Sequence, residues 1–401
     1  MEVVEPVSKK VTQGHLAYLD GLRGLTALYV VLHHALTQIN GTFTAATVPA
    51  GSIASIPVKA FTFLFGHGRL AVDMFIVISG FCLMLPIVRN KGHMKVGPRE
   101  FFAKRAKRIL PPYYLALAFS MLLIYTVIGE QTGTHWDIAI PVTSTDIVTH
   151  LLLLQDLFYS TCYKINHVFW SISVEWRIYF AFPLLVYIWR RLGALRTTAL
   201  TVGSGLLLYG LTVLLAGFDQ TGLNPVSISA DYLGLFAIGM LAAELSFTQQ
   251  ESMISWRNRI PLNLILLVTP VATLVLQRLN TNGNNHAFVV LSDLLMGLFS
   301  AGLLLAVSTG RMATTHRYLS WRPLVLIGTF AYSLYLVHAP LLQVFSKYVA
   351  IPLNLAPLPS ILLFVFVATP LITACCYLFY LVAERPFITK SPSAASRVAA
   401  S

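Results

Sequence analysis

Arg23 and His34 stand eleven residues apart in an apolar run from Tyr18 to Ile39. On a helix, eleven steps of ~100° make three turns plus ~20°, so both project from one face, about 16 Å apart along the axis. His33 points roughly 80° away from them. Three other apolar segments carry an ionisable group. Asp73 opens the run Met74-Phe75-Ile76-Val77-Ile78-Ser79-Gly80-Phe81, Glu175 follows Trp170-Ser171-Ile172-Ser173-Val174, and His338 closes Ala331-Tyr332-Ser333-Leu334-Tyr335-Leu336-Val337. Two histidines and two carboxylates suit general acid–base work, in which an imidazole takes and returns a proton and a carboxylate orients it and keeps it basic. Each has a bland alternative: Arg23 snorkels to lipid phosphates, His34 is a satisfied core residue, Glu175 pairs with Arg177, and Asp73 caps its helix. Taken as a set they favour chemistry.

A cationic segment accompanies them. In residues 97–112, Phe101, Phe102, Arg105 and Ile109 share one helical face while Lys104, Lys107 and Arg108 occupy the other, the pattern of an interfacial helix. It can anchor to anionic headgroups. Arg105 and Arg108, one turn apart, can also dock a phosphorylated ligand, because guanidinium groups bind phosphate bidentately.

The elements that position these groups must be membrane helices. The chain has 401 residues, 56% hydrophobic and 11% charged, with mean hydropathy +0.71, whereas a soluble domain is roughly a quarter charged. A soluble multidomain enzyme, a disordered chain and a disulfide-stapled module are excluded. Of the four cysteines, Cys82, Cys375 and Cys376 lie in apolar runs and Cys162 stands alone, so no disulfide is expected. A span needs about 20 apolar residues, which gives ten segments: 18–39, 70–89, 111–129, 167–189, 197–217, 228–247, 260–278, 286–308, 323–348 and 358–382. The expected fold is an all-α polytopic membrane bundle. The run from Asp146 to Phe158 reads as an amphipathic helix lying on the surface.

Basic residues alternate between loops. One side holds Lys9, Lys10, the Arg89–Arg108 group, Arg190, Arg191, Arg196, Arg257, Arg259, Arg311, Arg317, Arg322, Arg385, Lys390 and Arg397. The other holds Lys59, Arg69, Lys164, Arg278 and Lys347. That asymmetry predicts both termini in the cytoplasm and accounts for the net charge of +12 without a nucleic-acid partner. Arg23 then lies at the cytoplasmic mouth, with His34, Asp73, Glu175 and His338 in the outer half. The organisation expected is a short segment 1–17, a membrane domain 18–387 and a Ser/Ala-rich cytoplasmic tail 388–401. Asn40-Gly41-Thr42 is a formal glycosylation sequon against the membrane, where modification is not expected. A proton-coupled transporter would also bury such residues, but no internal repeat or pair of broken helices supports one.

The combination resembles the acyltransferase 3 family of integral membrane O-acyltransferases over about Tyr18 to Phe387. The matching features are Arg23 and His34 with ten residues between; the Asp73 to Phe81 block; Arg105-x-x-Arg108 before Pro111-Pro112-Tyr113; Trp170-Ser171 with Glu175; Tyr332-Ser333-Leu334-Tyr335-Leu336 with His338; and Glu384-Arg385-Pro386. One departure is Trp176-Arg177 after Glu175, where smaller or polar residues are expected. The resemblance implies acyl transfer from cytoplasmic acyl-CoA, usually acetyl-CoA, to a hydroxyl of a carbohydrate or glycosylated small molecule in a multi-pass plasma, inner or endomembrane protein. It implies a catalytic His34 and an essential Arg23, and no metal is expected. No esterase-like domain is expected after Phe387. Arg23, Arg105 and Arg108 would bind the donor's phosphates, His34 would act as base for direct attack, the preferred route, or itself accept the acyl group, with Asp73 and Glu175 beside it, and Trp170, Tyr332, Tyr335 and His338 would contact the acceptor.

Overall fold

The computed structural model describes residues 16–40, 55–217, 222–280 and 285–388. Lys9, Lys10, Gly41, Thr42, Lys390, Arg397 and the tail beyond Ile388 lie outside the described residues. Among those described, nine segments are long and apolar enough to cross a membrane: Ile56–Arg89, Pro98–Ile128, Trp170–Leu192, Ala194–Ala216, Pro225–Phe247, Leu262–Leu279, His286–Ser308, Ala331–Leu353 and Pro357–Phe387. The protein is a polytopic helical membrane protein. The first helix, Ala17–Asn40, has 24 residues and the length to span. Asp20, Arg23, His33 and His34 make it too polar to face lipid. It is instead wrapped by neighbours, which is why it tolerates those groups.

The first helix is held by backbone contact. A Cβ on Gly21 would lie 1.6 Å from the Leu319 carbonyl oxygen, and one on Gly328 would lie 1.9 Å from that of Asp20. Small residues let helices approach where lipid gives no hydrophobic drive between them. The helix carrying Asp73, Gly68–Arg89, crosses Tyr232–Phe247 in the same way, with Gly80 facing the Phe236 carbonyl and Gly239 facing that of Val77.

Three expectations are corrected. The span expected over 323–348 is two helices, Arg322–Thr329 and Ala331–Phe345, separated at Phe330. The first is only eight residues long and packs on the first helix, so continuous hydrophobicity does not mean a continuous helix. The cationic segment and the third span form one helix, Pro98–Leu123, running through Pro111 and Pro112 without a break. The run from Asp146 to Phe158 is a surface helix only over its first half: Ser144–Leu151 leaves Val148 and Leu151 exposed, and it is the polar side, Asp146 and His150, together with Gln155 and Asp156 of the short turn at Gln155–Leu157, that is buried.

The two buried carboxylates among them are satisfied. Asp146 caps its own helix through Thr143, and Asp156 receives both guanidinium ends of Arg177. Arg177 therefore does not pair with Glu175. Trp176, the other unexpected residue there, rests against Phe180 with ring centres 5.3 Å apart. The departure at 176–177 thus serves packing and an ion pair rather than altering a pocket.

Candidate active site

A cavity and a cluster of imidazoles lie along the first helix. The first is a cavity of about 640 Å³ whose lining includes Arg23, Arg89, Arg105 and Arg108. Arg23 is held by Asp20 at 3.0 Å. Arg105 stacks over Phe101 and Tyr179, 5.7 and 5.9 Å from the ring centres. Among the described residues, Arg89, Arg105 and Arg108 have no carboxylate in ion-pair contact. Four guanidinium groups outnumber the three carboxylates of the same wall, Asp20, Glu175 and Glu384, and can meet a polyanion bidentately.

Glu175 belongs to this chamber. Ser171, Glu175 and Tyr179 fall at four-residue intervals on one face of Trp170–Leu192, and all three line the cavity. Glu175 accepts hydrogen bonds from Ser79, at 3.1 Å, and from Tyr179. Tyr332 and Tyr335 also line the cavity: Tyr332 donates to the Ile109 carbonyl at 3.1 Å, and the Tyr335 hydroxyl lies 2.6 Å from Ser171 Oγ. Glu384, on the opposite wall, accepts from the backbone N–H and hydroxyl of Ser333 at 3.1 and 2.6 Å.

The second feature is the group of imidazoles. His34 Nδ1 lies 2.9 Å from His338 Nε2, and its ring centre is 5.0 Å from His33, 5.0 Å from His338 and 4.8 Å from His167. His135 and Trp136 close on His167 at 5.1 and 5.6 Å. The hydrogen bonds assign the protons. His338 Nδ1 faces the Leu334 and Tyr335 carbonyls, each at 2.9 Å, and carbonyls only accept, so Nδ1 carries the hydrogen. His338 Nε2 is then a lone pair, which His34 must meet with Nδ1–H, leaving His34 Nε2 as an unprotonated base. His33 is tied to the Phe65 carbonyl at 2.7 Å.

Tyr335 stands between the cavity and the imidazoles. It lines the arginine cavity, and its ring is 6.0 Å from both Phe75 and His338. His34, His338 and Asp73 do not line the cavity, so Glu175 is set apart from the three groups expected beside it in the outer half.

Asp73 and Trp170 lie apart from both. Phe75 and Ser79 share a helix face one turn apart, whereas Asp73 is two residues from Phe75 and projects to the opposite side. It is buried in the field of Arg69 and Asp293. Arg69, expected in an outer loop, is a helical residue bound to Asp293 through contacts of 3.1, 3.0 and 2.6 Å. Trp170 lies beneath it, 5.8 Å from the guanidinium carbon, and is not in the cavity wall. Neither Asp73 nor Glu175 contacts His34: among the described residues, its ring is oriented by a histidine rather than a carboxylate.

His167 and His135 were not singled out in the sequence. His167 lies just before a hydrophobic helix, in a polar segment where its proximity to the first helix has no local signature.

The Acyl_transf_3 family, described as an acyltransferase domain, matches residues 16–381. YrhL of Bacillus subtilis (strain 168), which carries the provisional name of a peptidoglycan O-acetyltransferase, is 24% identical over 353 residues, covering 82% of this chain and 49% of that protein. The O-acetyltransferase OatA of Staphylococcus aureus (strain NCTC 8325 / PS 47) is 21% identical over 356 residues, covering 85% of this chain and 53% of OatA. The chain spans about half the length of these curated relatives. No solved structure matches. With a match that runs from the first helix to the last, the chain belongs to this acyltransferase family.

Proposed function

We propose that the protein moves an acetyl group from cytoplasmic acetyl-CoA to a hydroxyl of a carbohydrate acceptor on the other side of the membrane. The observation that carries this reading is the first helix, which presents Arg23 to a four-arginine cavity and, three turns on, His34 to His338. Arg23, Arg105 and Arg108, with Arg89, hold the donor's phosphates, and the cavity's neutral inner wall of Phe75, Ser171 and Tyr335 receives the pantetheine end. The names of YrhL and OatA support the acetyl group and a glycan acceptor. The basic-loop asymmetry supports a cytoplasmic arginine mouth with both termini on that side, and 18–387 is the membrane domain that carries the site.

His34 Nε2 takes the acceptor's hydroxyl proton as the oxygen attacks the thioester. The charge that builds on the ring is stabilised through Nδ1–H by His338 Nε2, itself fixed by two carbonyls. Glu175 positions the donor chamber through Ser79 and Tyr179 and is not the group that orients the base. Asp73 acts at a distance, within the buried Arg69 cluster. The test is to incubate the purified protein with acetyl-labelled acetyl-CoA and N-acetylhexosamine oligosaccharides. Label should appear as base-labile ester on the sugar with equimolar release of CoA thiol; label that remains on CoA with every acceptor would refute the reading.

A further inference from the structure

The His34–His338 pair leaves one imidazole of the cluster without a role. His167 is 5% exposed, and neither Nδ1 nor Nε2 has a hydrogen-bond partner among the described residues. A neutral imidazole carries one donor and one acceptor, and burying both unmet is a cost that packing alone does not explain. The ring is nonetheless firmly placed. Its neighbour Asn166 donates from Nδ2 to the Leu336 carbonyl at 3.0 Å and to Ser120 Oγ at 3.2 Å. Leu336 can accept because Pro340, four residues on in the same helix, has no N–H to give it. On the other side, Ile165 N–H donates to the Ala139 carbonyl at 2.9 Å.

We propose that His167 is a second catalytic residue of the acyl transfer, donating its ring N–H to the carbonyl oxygen of the acyl group while His34 acts as the base. This rests on the acyl-transfer reading above. As the acceptor oxygen bonds to the thioester carbon, the carbonyl π pair moves onto the carbonyl oxygen, which takes the hydrogen bond from His167. His34 Nε2 holds the acceptor's proton. Collapse restores the carbonyl, breaks the carbon–sulfur bond and sends the proton from His34 to the leaving thiolate, giving an ester and a free thiol. His167 finishes with the hydrogen it began with. Burial, aided by the neighbouring imidazoles of His135, His338 and His33, pushes the His167 pKa well below that of an ordinary histidine, which keeps it a neutral donor.

The test compares H167A, H167Q and H167N in the full-length protein, using acetyl-CoA with tetra-N-acetylchitotetraose as the acceptor probe and rates expressed per folded protein. Loss of an oxyanion donor lowers kcat by roughly 10²–10³-fold. The Ala variant should show that fall with the KM for acetyl-CoA little changed. Gln and Asn, whose amide N–H also donates, should recover part of the rate, and the acid limb of the pH–rate profile should stay in place because His34 governs it. An unchanged kcat in the Ala variant would overturn the proposal. So would Gln and Asn variants as inactive as Ala, since a neutral donor could not then replace the ring. Failure of all three to fold makes His167 a packing residue and also overturns it. Absence of transfer by the unsubstituted protein is a different result, visible without any variant, and removes the reading on which the proposal rests.

Discussion

His34 Nδ1 and His338 Nε2 face each other at 2.9 Å, and the two carbonyls at His338 Nδ1 make His34 the donor in that contact. The pair links the first helix to Ala331–Phe345 across the bundle. It gives one imidazole a defined tautomer without a carboxylate.

His34→Ala should therefore lower kcat by roughly 10²–10⁴-fold, the range of a lost general base, with the protein still folded and still binding acetyl-CoA. His338→Phe removes only the tautomer lock and should cost roughly 10²-fold with the donor KM unchanged. His33→Ala, whose ring is committed to the Phe65 carbonyl, is the control and should be the mildest of the three. Steady-state kinetics on detergent-purified protein would check the ranking; an active His34→Ala enzyme would exclude His34 as the base.

Arg105→Ala and Arg108→Ala should each raise the KM for acetyl-CoA by roughly 10–100-fold, the worth of a charged hydrogen bond. Arg23→Ala should do at least as much, because it also breaks the Arg23–Asp20 pair. Lys at these positions should restore function only in part, since an ammonium cannot grip phosphate bidentately. Calorimetric titration with acetyl-CoA and with CoA would separate this from a catalytic loss. Normal affinity in all three Ala variants would move the donor site elsewhere.

Acid should loosen the segment that carries His150 and His167. Burial lowers the His150 pKa from 6.5 to about 4 and pushes His167 well below its ordinary value, so both are neutral in the native protein. Unfolded chains take up those protons below about pH 6.5. The stabilisation is thus complete above that pH and is lost as pH falls toward 4, by about 3 kcal/mol for His150. Thermal unfolding followed from pH 7.5 to 4.5 should show a falling midpoint. His150→Gln should flatten the curve, and an unchanged slope would count against the assignment.

Removing Arg69 should be more damaging than removing the pair it belongs to. Arg69→Met leaves Asp293 buried with no counter-charge, worth about 3–5 kcal/mol of stability, whereas Arg69→Met with Asp293→Leu should recover much of that loss. Melting temperatures of the two variants decide it. Equal destabilisation would show that packing rather than charge holds the cluster.

Spacing within one helix was legible in the sequence; which neighbours each side chain meets was not. Distance along a helix follows from residue count alone, so Arg23 and His34 on one face, three turns apart, could be read from spacing. Asp73 and Glu175 have the expected helical settings, but the faces they show are set by neighbours: Gly80 against Phe236 turns Asp73 toward Arg69, and Tyr179 with Ser79 draws Glu175 into the donor cavity. The break at Phe330 was hidden because both halves of 322–353 are apolar. His167 was hidden because its place beside His34 depends on a hydrogen bond between residues 170 apart in sequence.

That bond has a mechanical result. The carbonyl left over by Pro340 anchors Asn166, so His167 and His338 ride on one rigid body, while His34 belongs to another. A tilt of the His338 helix would carry two of the three rings together and leave their mutual geometry unchanged. The cluster has one seam along which it can open or close, and it runs between His34 and the other two.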